Sequence, residues 1–122
     1  MTTRTPQDVF ADHGRRLATA DLDLIAGNYT EDAVLITPAG TYAGHDGVRE
    51  VIGQLLADLP DAEWQLTPQF AGDLLFLRWT AVTGSHRVTD GTDTFVFRDG
   101  RISAQTVRYH LTDRTDLTDR TA

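Results

Sequence analysis

Asp93, in the segment TDTFVFRDG, is the residue of this chain whose surroundings point most clearly to chemistry. It alternates with Phe95 and Phe97, so in a strand all three side chains lie on one face. A carboxyl group on an apolar face has a raised pKa, because its charged form loses hydration. Such a group can exchange protons near neutral pH. The same pattern is also compatible with a half-exposed Asp93 at a bend near Gly91, or with a structural partner of an arginine.

His13 is the second candidate, because it is the polar member of an apolar helical stripe. Phe10, His13 and Leu17 recur at helical spacing. The helix that carries them is predicted to begin at Thr5 and Pro6, which suit the N-cap and the first helical position. A histidine facing the core is more often structural than functional, but it can also act as an acid, a base or a hydrogen-bond donor.

Several aromatic side chains are expected to line a cavity beside these two residues. Trp79 is placed at the wall, with Arg78 as the alternative if the strand register shifts. Tyr29 lies on the predicted buried face of a short second helix, and its hydroxyl group needs a hydrogen-bond partner there. Phe95 shares the face of Asp93.

The last long strand leaves two possible sets of residues on the face of Asp93. A strict two-residue turn at Asp99-Gly100 would place Thr106, Arg108 and His110 there. A three-residue turn with a glycine bulge would place Gln105, Val107 and Tyr109 there instead. We favour the second, because Arg-Asp-Gly puts glycine at the left-handed position, and we expect Gln105 and Tyr109 at the cavity.

The elements that must position these residues follow an α+β order, with helices first and an antiparallel meander after them. One domain over residues 1–122 is expected, structured over about 6–111, with a polar tail at 112–122. The third helix is predicted from about Asp46 to Leu59. The predicted strands are Ala33 to Thr37, Ala62 to Phe70, Leu74 to Thr83, His86 to Phe97 and Arg101 to Leu111.

Composition excludes several classes of function. The 122 residues include no cysteine and no lysine, so a thiol nucleophile, a thiolate metal site and a Schiff-base lysine are excluded. The net charge of -7, without a basic cluster, argues against nucleic acid. No apolar run approaches membrane length, and no signal-peptide core is present, so a cytoplasmic protein is expected. No metal-ligand spacing appears, and His45-Asp46 is interpreted as a helix cap.

The stretch from Asp21 to Leu59, DLDLIAGNYTEDAVLITPAGTYAGHDGVREVIGQLLADL, resembles the nuclear transport factor 2-like superfamily, which includes SnoaL-like polyketide cyclases, ketosteroid isomerases and limonene epoxide hydrolases. Two segments are similar to the ketosteroid isomerases in particular, namely ATADLDLIAGNYTEDAVLITPAG at 18–40 and TDTFVFRDGRI at 92–102. The resemblance implies a curved, mostly antiparallel sheet that wraps three helices as a cone around one deep apolar cavity. It also implies pairing of two copies through the sheet face, and hence a homodimer.

The resemblance assigns roles but also shows a departure from the ketosteroid isomerases. Asp93 matches their protonated carboxylic acid in the oxyanion hole, and His13 matches their oxyanion-hole tyrosine, which implies hydrogen bonds to a substrate oxygen. Their catalytic aspartate precedes a proline on the first strand, where this chain has Thr37 before Pro38. Threonine cannot abstract a carbon-bound proton near neutral pH, so steroid isomerisation in its usual form is not expected.

We therefore expect a cofactor-independent isomerase, cyclase or epoxide hydrolase that acts on a small apolar oxygenated molecule. The alternatives are a non-catalytic binder of such a molecule and a purely structural dimer module. His13 and Asp93 are the expected catalytic residues, expected to titrate as a coupled pair, and no metal ligand is expected. The residues expected to contact the substrate are Tyr29, Thr37, Trp79, Phe95, Gln105 and Tyr109.

Overall fold

Three helices occupy the first half of the chain, and the computed structural model describes residues 4–114. They are α1 (Pro6–Thr19), α2 (Leu22–Ala26) and α3 (Gly44–Asp58). Thr5 begins α1 with a capping box: its hydroxyl group accepts from the Asp8 amide, and the Asp8 carboxylate accepts from the Thr5 amide, both at 3.1 Å. Asp21 caps α2 by accepting from two backbone amides.

The strands form one seven-stranded sheet in the order β2-β1-β6-β5-β4-β3, with β7 paired to β5. Only the β1–β6 pair is parallel among the described strands. Pro68 lies in β3, at the edge of the sheet, where a missing backbone donor is tolerated. The bounds are β1 (Tyr29–Thr37), β2 (Gly40–Ala43), β3 (Glu63–Ala71), β4 (Leu74–Val82), β5 (His86–Arg98), β6 (Arg101–Arg108) and β7 (Thr112–Asp113).

The core lies between the helices and the concave face of the sheet. Val48, Val51, Ile52 and Leu55 form the buried face of α3, as their spacing in the sequence indicates. Alternate residues of β4 and β5 point toward them. The sheet is curved and does not close on itself. The predicted α+β fold of three helices on a curved, mostly antiparallel sheet is therefore confirmed.

The region around Tyr29 differs from the sequence prediction. Tyr29 was expected on the second helix, but α2 ends at Ala26 and Tyr29 is the first residue of β1. It pairs with Ile102 of β6, so a tertiary strand contact overrides the helical spacing. The turn after Thr37 also continues into β2, a strand that the sequence pattern does not predict.

The β5–β6 hairpin combines the two alternatives considered for it. Arg98 pairs with Arg101, so the turn has two residues, Asp99 and Gly100, both with positive φ. The extra residue is Ser103, because Phe97 pairs with Ile102 and Val96 with Ala104. The expected three-residue turn is therefore wrong. The bulge at Ser103 changes the parity of β6, so that Gln105 and Val107 share the face of Asp93.

The predicted polar tail begins inside the described structure. Thr112 and Asp113 form β7, which pairs with Arg87 and His86 of β5. Residues 115–122 lie outside the described residues. Within residues 4–114 no helix is long and apolar enough to cross a membrane.

Candidate functional site

A pocket of about 340 Å³ lies between α1, α3 and the concave face of the sheet; we call it the inner pocket. It brings together five of the residues selected from the sequence, namely His13, Trp79, Asp93, Phe95 and Gln105. The rest of its lining is mostly apolar. The other lining residues are Phe10, Ala11, Gly14, Leu17, Ala18, Ile52, Leu55, Leu56, Trp64, Leu66 and Leu77.

Asp93 is the buried carboxyl group of this pocket, with 5% of its surface exposed. Trp79 donates its indole N–H to Oδ1 at 2.9 Å, and Gln105 donates its amide N–H to Oδ2 at 3.0 Å. The two donors come from the strands on either side of β5. Both oxygens of Asp93 are therefore held in place by neighbours that can only donate at these atoms.

Burial raises the pKa of Asp93 from 3.8 to about 6, and the hydrogen bonds from Trp79 and Gln105 lower it in part. Burial dominates because water cannot solvate the charged form, whereas the two donors favour that form. A carboxyl group with this pKa is mostly ionised at neutral pH, yet it can hold a proton at modest cost. It is suited to accept a proton and return it.

Tyr29 lies behind Gln105 rather than in the pocket lining. Its hydroxyl group donates to Gln105 Oε1, and the Gln105 amide then donates to Asp93. Tyr29 and Gln105 are both almost completely buried. Burial and the charge of Asp93 raise the pKa of Tyr29, so its phenol stays protonated and keeps its role as donor. Tyr29 thus orients Gln105. Contrary to the expectation from the sequence, it does not line the inner pocket.

His13 faces the same pocket from α1. It is 3% exposed, and its Nδ1 atom has no hydrogen-bond partner within the described part of the chain. Its ring packs edge-on against Tyr29 and Phe95, with centroid distances of 5.7 and 5.8 Å. Burial lowers the pKa of His13 from 6.5 to about 4, so the imidazole is neutral at physiological pH.

The expected electrostatic coupling between His13 and Asp93 is not seen. The charged neighbours that influence the pKa of His13 are Asp12 and Arg16. Asp12 accepts from Arg16 Nε at 2.8 Å and from Asn28 Nδ2 at 3.0 Å. This network ties α1 to the chain before β1 and so fixes the helix that carries His13.

The pocket opens beside the edge strand β3. Trp64 and Leu66 line it, yet they remain 38% and 47% exposed. Trp64 packs on Trp79 with ring centroids 5.2 Å apart. Neither Trp64 nor Leu66 is among the residues expected from the sequence to contact the substrate. Their alternation along β3 would have placed them on one face, but nothing local identifies that strand as an edge.

Thr37 and Tyr109 line a different pocket of about 540 Å³, which we call the outer pocket. Thr37 lies at the end of β1, where its hydroxyl group accepts from the Ala39 amide at 3.1 Å. Tyr109 follows the end of β6 and donates its hydroxyl group to Asp58 Oδ2 at 2.6 Å. The expectation that both residues join Asp93 in one cavity is therefore wrong. The β6 ladder ends before Tyr109, so strand parity no longer determines its direction.

Other groups that could do chemistry lie apart from the inner pocket. His110 pairs with Asp90 at 2.6 Å on the surface. His45 Nε2 lies 2.9 Å from the Tyr29 carbonyl oxygen, and Ala43 occupies the N-cap of α3, so His45-Asp46 is not the cap expected. Among the described residues no group of three or more His, Cys, Asp or Glu side chains could hold a metal ion.

Residues 10–105 match the family model described as a SnoaL-like domain. No curated protein matches the sequence. Solved structures match over most of the chain at low identity, which shows the fold alone. A Kribbella flavida protein provisionally named a ketosteroid isomerase has a TM-score of 0.65 and 17% identity, covering 88% of this chain and 81% of its own.

Two further structures show how varied the proteins of this fold are. A Sinorhizobium meliloti protein provisionally named a polyketide cyclase has a TM-score of 0.60 and 19% identity, over 82% of this chain and 93% of its own. A de novo designed protein with a curved β-sheet has a TM-score of 0.74 and 16% identity, over 90% of this chain and 88% of its own. The fold therefore does not carry one function, and the side chains of the pocket must support any assignment.

Proposed function

Because this chain belongs to the SnoaL-like domain family, within the nuclear transport factor 2-like superfamily, we propose that it is a cofactor-independent acid–base enzyme. Its substrate is a small, mainly apolar molecule with a carbonyl oxygen, bound in the inner pocket. The supporting observation is the position of Asp93: a buried carboxyl group, held by Trp79 and Gln105, in an otherwise largely apolar pocket.

The proposed reaction begins with proton transfer from carbon to Asp93. The carboxylate removes a proton from the carbon next to the substrate carbonyl, and the electron pair of that C–H bond forms an enolate. Protonated Asp93 then returns the proton to another carbon of the enolate system. Alternatively, the enolate carbon attacks a second carbonyl within the same molecule, and protonated Asp93 gives its proton to the alkoxide that forms. The first course is an isomerisation and the second an aldol cyclisation; both are redox-neutral.

His13 supports this reaction as a hydrogen-bond donor. A neutral imidazole carries one N–H, and Nδ1 of His13 is buried without a partner among the described residues. We assign His13 to the substrate oxygen, on which negative charge develops in the enolate. Phe95 and Trp79 contact the apolar part of the molecule. Thr37 lies in the outer pocket and takes no part in this proton transfer.

The test measures exchange of the carbon-bound protons of 2-tetralone, a small apolar ketone, for deuterium in D2O. The wild-type protein should accelerate exchange above the buffer rate, and Asp93→Asn should lower the protein-dependent rate by about 100-fold or more, because a positioned general base contributes at least that much. His13→Phe should reduce it less. Ser85→Ala, at an exposed turn, is the control.

A non-catalytic binder is the second candidate, because both oxygens of Asp93 already have donors. In that case 4-nitrophenol should bind in the inner pocket without any acceleration of tetralone exchange. If 4-nitrophenol binds equally to the wild type, Asp93→Asn and His13→Phe, neither residue belongs to the binding site. If 4-nitrophenol does not bind and tetralone exchange is not accelerated, both candidate functions fail.

We also propose a homodimer formed through the convex face of the sheet. Leu74, Val96, Ala104 and Val34 lie side by side across four strands on that face. Phe76, Thr94, Thr106 and Ile36 form the adjacent row. Leu74 and Ile36 are 50% and 48% exposed. Continuous rows of uncharged, mainly apolar side chains suit face-to-face packing of a second sheet.

A further inference from the structure

The inner and outer pockets are neighbours that share one wall. On α3, Val51 lines the outer pocket and Ile52 lines the inner one. On β6, Val107 lines the outer pocket and Gln105 lines the inner one. Val107 also pairs directly with Asp93 in the β5–β6 ladder. The outer pocket therefore lies immediately next to the carboxyl group that the inner pocket contains.

Tyr109 stands at this wall. Its ring packs against Trp79, which lines the inner pocket, with a centroid distance of 5.5 Å. Its hydroxyl group donates to Asp58, which lines the outer pocket. Burial, together with the carboxylates of Asp58 and Asp93, raises the pKa of Tyr109, so its hydroxyl group remains protonated and remains a donor.

Side-chain contacts hold this wall in place. Tyr109 lies one residue beyond the end of β6 and has no place in the strand ladder. The hydrogen bond to Asp58 connects it to the last residue of α3, and the Trp79 ring supports it from the sheet. Among the described residues, the other aromatic ring packed on Trp79 is that of Trp64, at the opening of the inner pocket. Removal of the Tyr109 ring would therefore leave Trp79 without an aromatic contact on the side of the outer pocket.

We propose that Tyr109 determines ligand length in this protein by dividing one elongated site into the inner and outer pockets. The wild-type protein then accepts compact ligands that fill the inner pocket and excludes longer ones. This inference rests on the proposed function only in treating the inner pocket as a binding site.

The outer pocket also indicates the chemistry that a longer ligand would meet. Glu50, Gln54 and Asp58 recur at intervals of four residues on α3, and all three line it. Two of the three are carboxylates, which accept hydrogen bonds. The distal end of a ligand that passed the wall would therefore be stabilised by hydroxyl or amine groups, whereas its inner end would be apolar.

The test compares 4-ethylphenol with 4-(8-hydroxyoctyl)phenol. They share a head group, and only the second has a chain long enough to carry a terminal hydroxyl group into the outer pocket. Calorimetry should give a ratio of affinities, hydroxyoctyl over ethyl, that rises about tenfold or more in Tyr109→Ala relative to the wild type. Tyr109→Phe keeps the ring and loses only the bond to Asp58, so its ratio should stay within about threefold of the wild type. Tyr42→Ala is the matched control, because Tyr42 lines the outer pocket but has no ring contact with Trp79 among the described residues.

Each outcome decides a different point. If the ratio in Tyr109→Ala stays within about threefold of the wild type, Tyr109 is not the wall and the inference is wrong. If Tyr42→Ala raises the ratio as much as Tyr109→Ala, any enlargement of the outer pocket suffices and the inference is also wrong. If neither phenol binds to the wild type, the proposed function fails first. Tyr109→Leu, which retains apolar packing on Trp79, gives the same comparison if Tyr109→Ala does not fold.

Discussion

Asp93 and His13 are both buried, and in each residue burial disfavours the charged form. The consequences for stability have opposite signs. Because the pKa of Asp93 is raised, its contribution to the free energy of unfolding is fully present below pH 3.8 and is lost as the pH rises through about 6. Because the pKa of His13 is lowered, its contribution to the free energy of unfolding is fully present above pH 6.5 and is lost as the pH falls through about 4.

The two residues should therefore oppose each other between about pH 4 and pH 6.5, each with a range of about 3 kcal/mol. The Asp93→Asn variant lacks the stability that protonation of Asp93 adds as the pH falls. Its free energy of unfolding should therefore fall more steeply than that of the wild type as the pH drops through this window. The His13→Phe variant lacks the stability that is lost when His13 must be protonated. Its free energy of unfolding should therefore fall less than that of the wild type, or rise, as the pH drops. Urea unfolding at several pH values measures both, and parallel profiles for all three proteins would contradict the assignment.

The Asp93→Asn variant can be accommodated because Gln105 can reverse its amide. Trp79 would still donate to the side-chain oxygen at position 93, while the new amide N–H₂ would face Gln105. After reversal, Gln105 accepts from position 93 and donates to the Tyr29 hydroxyl group, which can also accept. We therefore expect Asp93→Asn to be folded at neutral pH and at least as stable as the wild type, as judged by its melting temperature.

Tyr29→Phe tests the support behind Gln105. The change removes one donor and leaves the buried Gln105 Oε1 without its partner. An unsatisfied buried acceptor costs about 1–3 kcal/mol, so the free energy of unfolding should fall by that amount. Tyr42→Phe, which removes a hydroxyl group from a partly exposed site, is the control and should be nearly neutral.

At the scale of elements, the β4–β5 pair supplies the site with both its acid and one of its donors. Trp79 pairs with Gly91, and the register shifts directly afterwards. A Cβ atom at Gly91 would lie 2.2 to 2.7 Å from three atoms of the Trp79 ring. The glycine therefore allows the indole to lie flat over the strand, where its N–H reaches Asp93.

Gly91→Ala should displace the Trp79 ring and lower the free energy of unfolding by about 1–3 kcal/mol, the usual cost of overpacking. Trp79 fluorescence, measured in a Trp64→Phe background, should shift because the indole loses its bond to Asp93. Gly84→Ala is the control, since nothing lies within 4 Å of a Cβ atom there. Equal effects of the two changes would show that the close approach of Gly91 to Trp79 has no role.

At the scale of the whole molecule, the proposed homodimer makes a prediction about the convex face of the sheet. A stable dimer should bury about 1,200–2,000 Å² in total and be symmetric. Light scattering at micromolar concentration should return twice the chain mass of 13.5 kDa. Phe76→Glu should shift the protein to monomer, because a charge would enter the rows of mainly uncharged side chains on that face.

Leu24→Glu is the matched control for the dimer. Leu24 and Phe76 are 42% and 41% exposed, but Leu24 lies on α2, away from the convex face. A wild-type monomer, or equal dissociation by both changes, would contradict pairing through this face.

The sequence by itself determined the order of the helices and the long strands, although not β2 or β7, and much of the orientation of the side chains. Alternation placed Asp93, Phe95 and Phe97 on one buried face, and helical spacing placed His13 on the buried side of α1. The capping residue Thr5 marked where α1 begins. These properties are local, since each depends on the period of a helix or a strand and on a few neighbouring residues.

Only the tertiary structure decided which of these residues meet. Trp79 and Gln105 reach Asp93 from two other strands, and the extra residue Ser103 places Gln105 on the correct face. Thr37 and Tyr109 were assigned to the wrong pocket because the relevant contacts, such as Tyr109 with Asp58, join residues far apart in the chain. Periodicity reports the side of an element that a residue occupies. The distance between two side chains on different elements depends on strand register and sheet curvature. Both are set by pairings along the whole sheet.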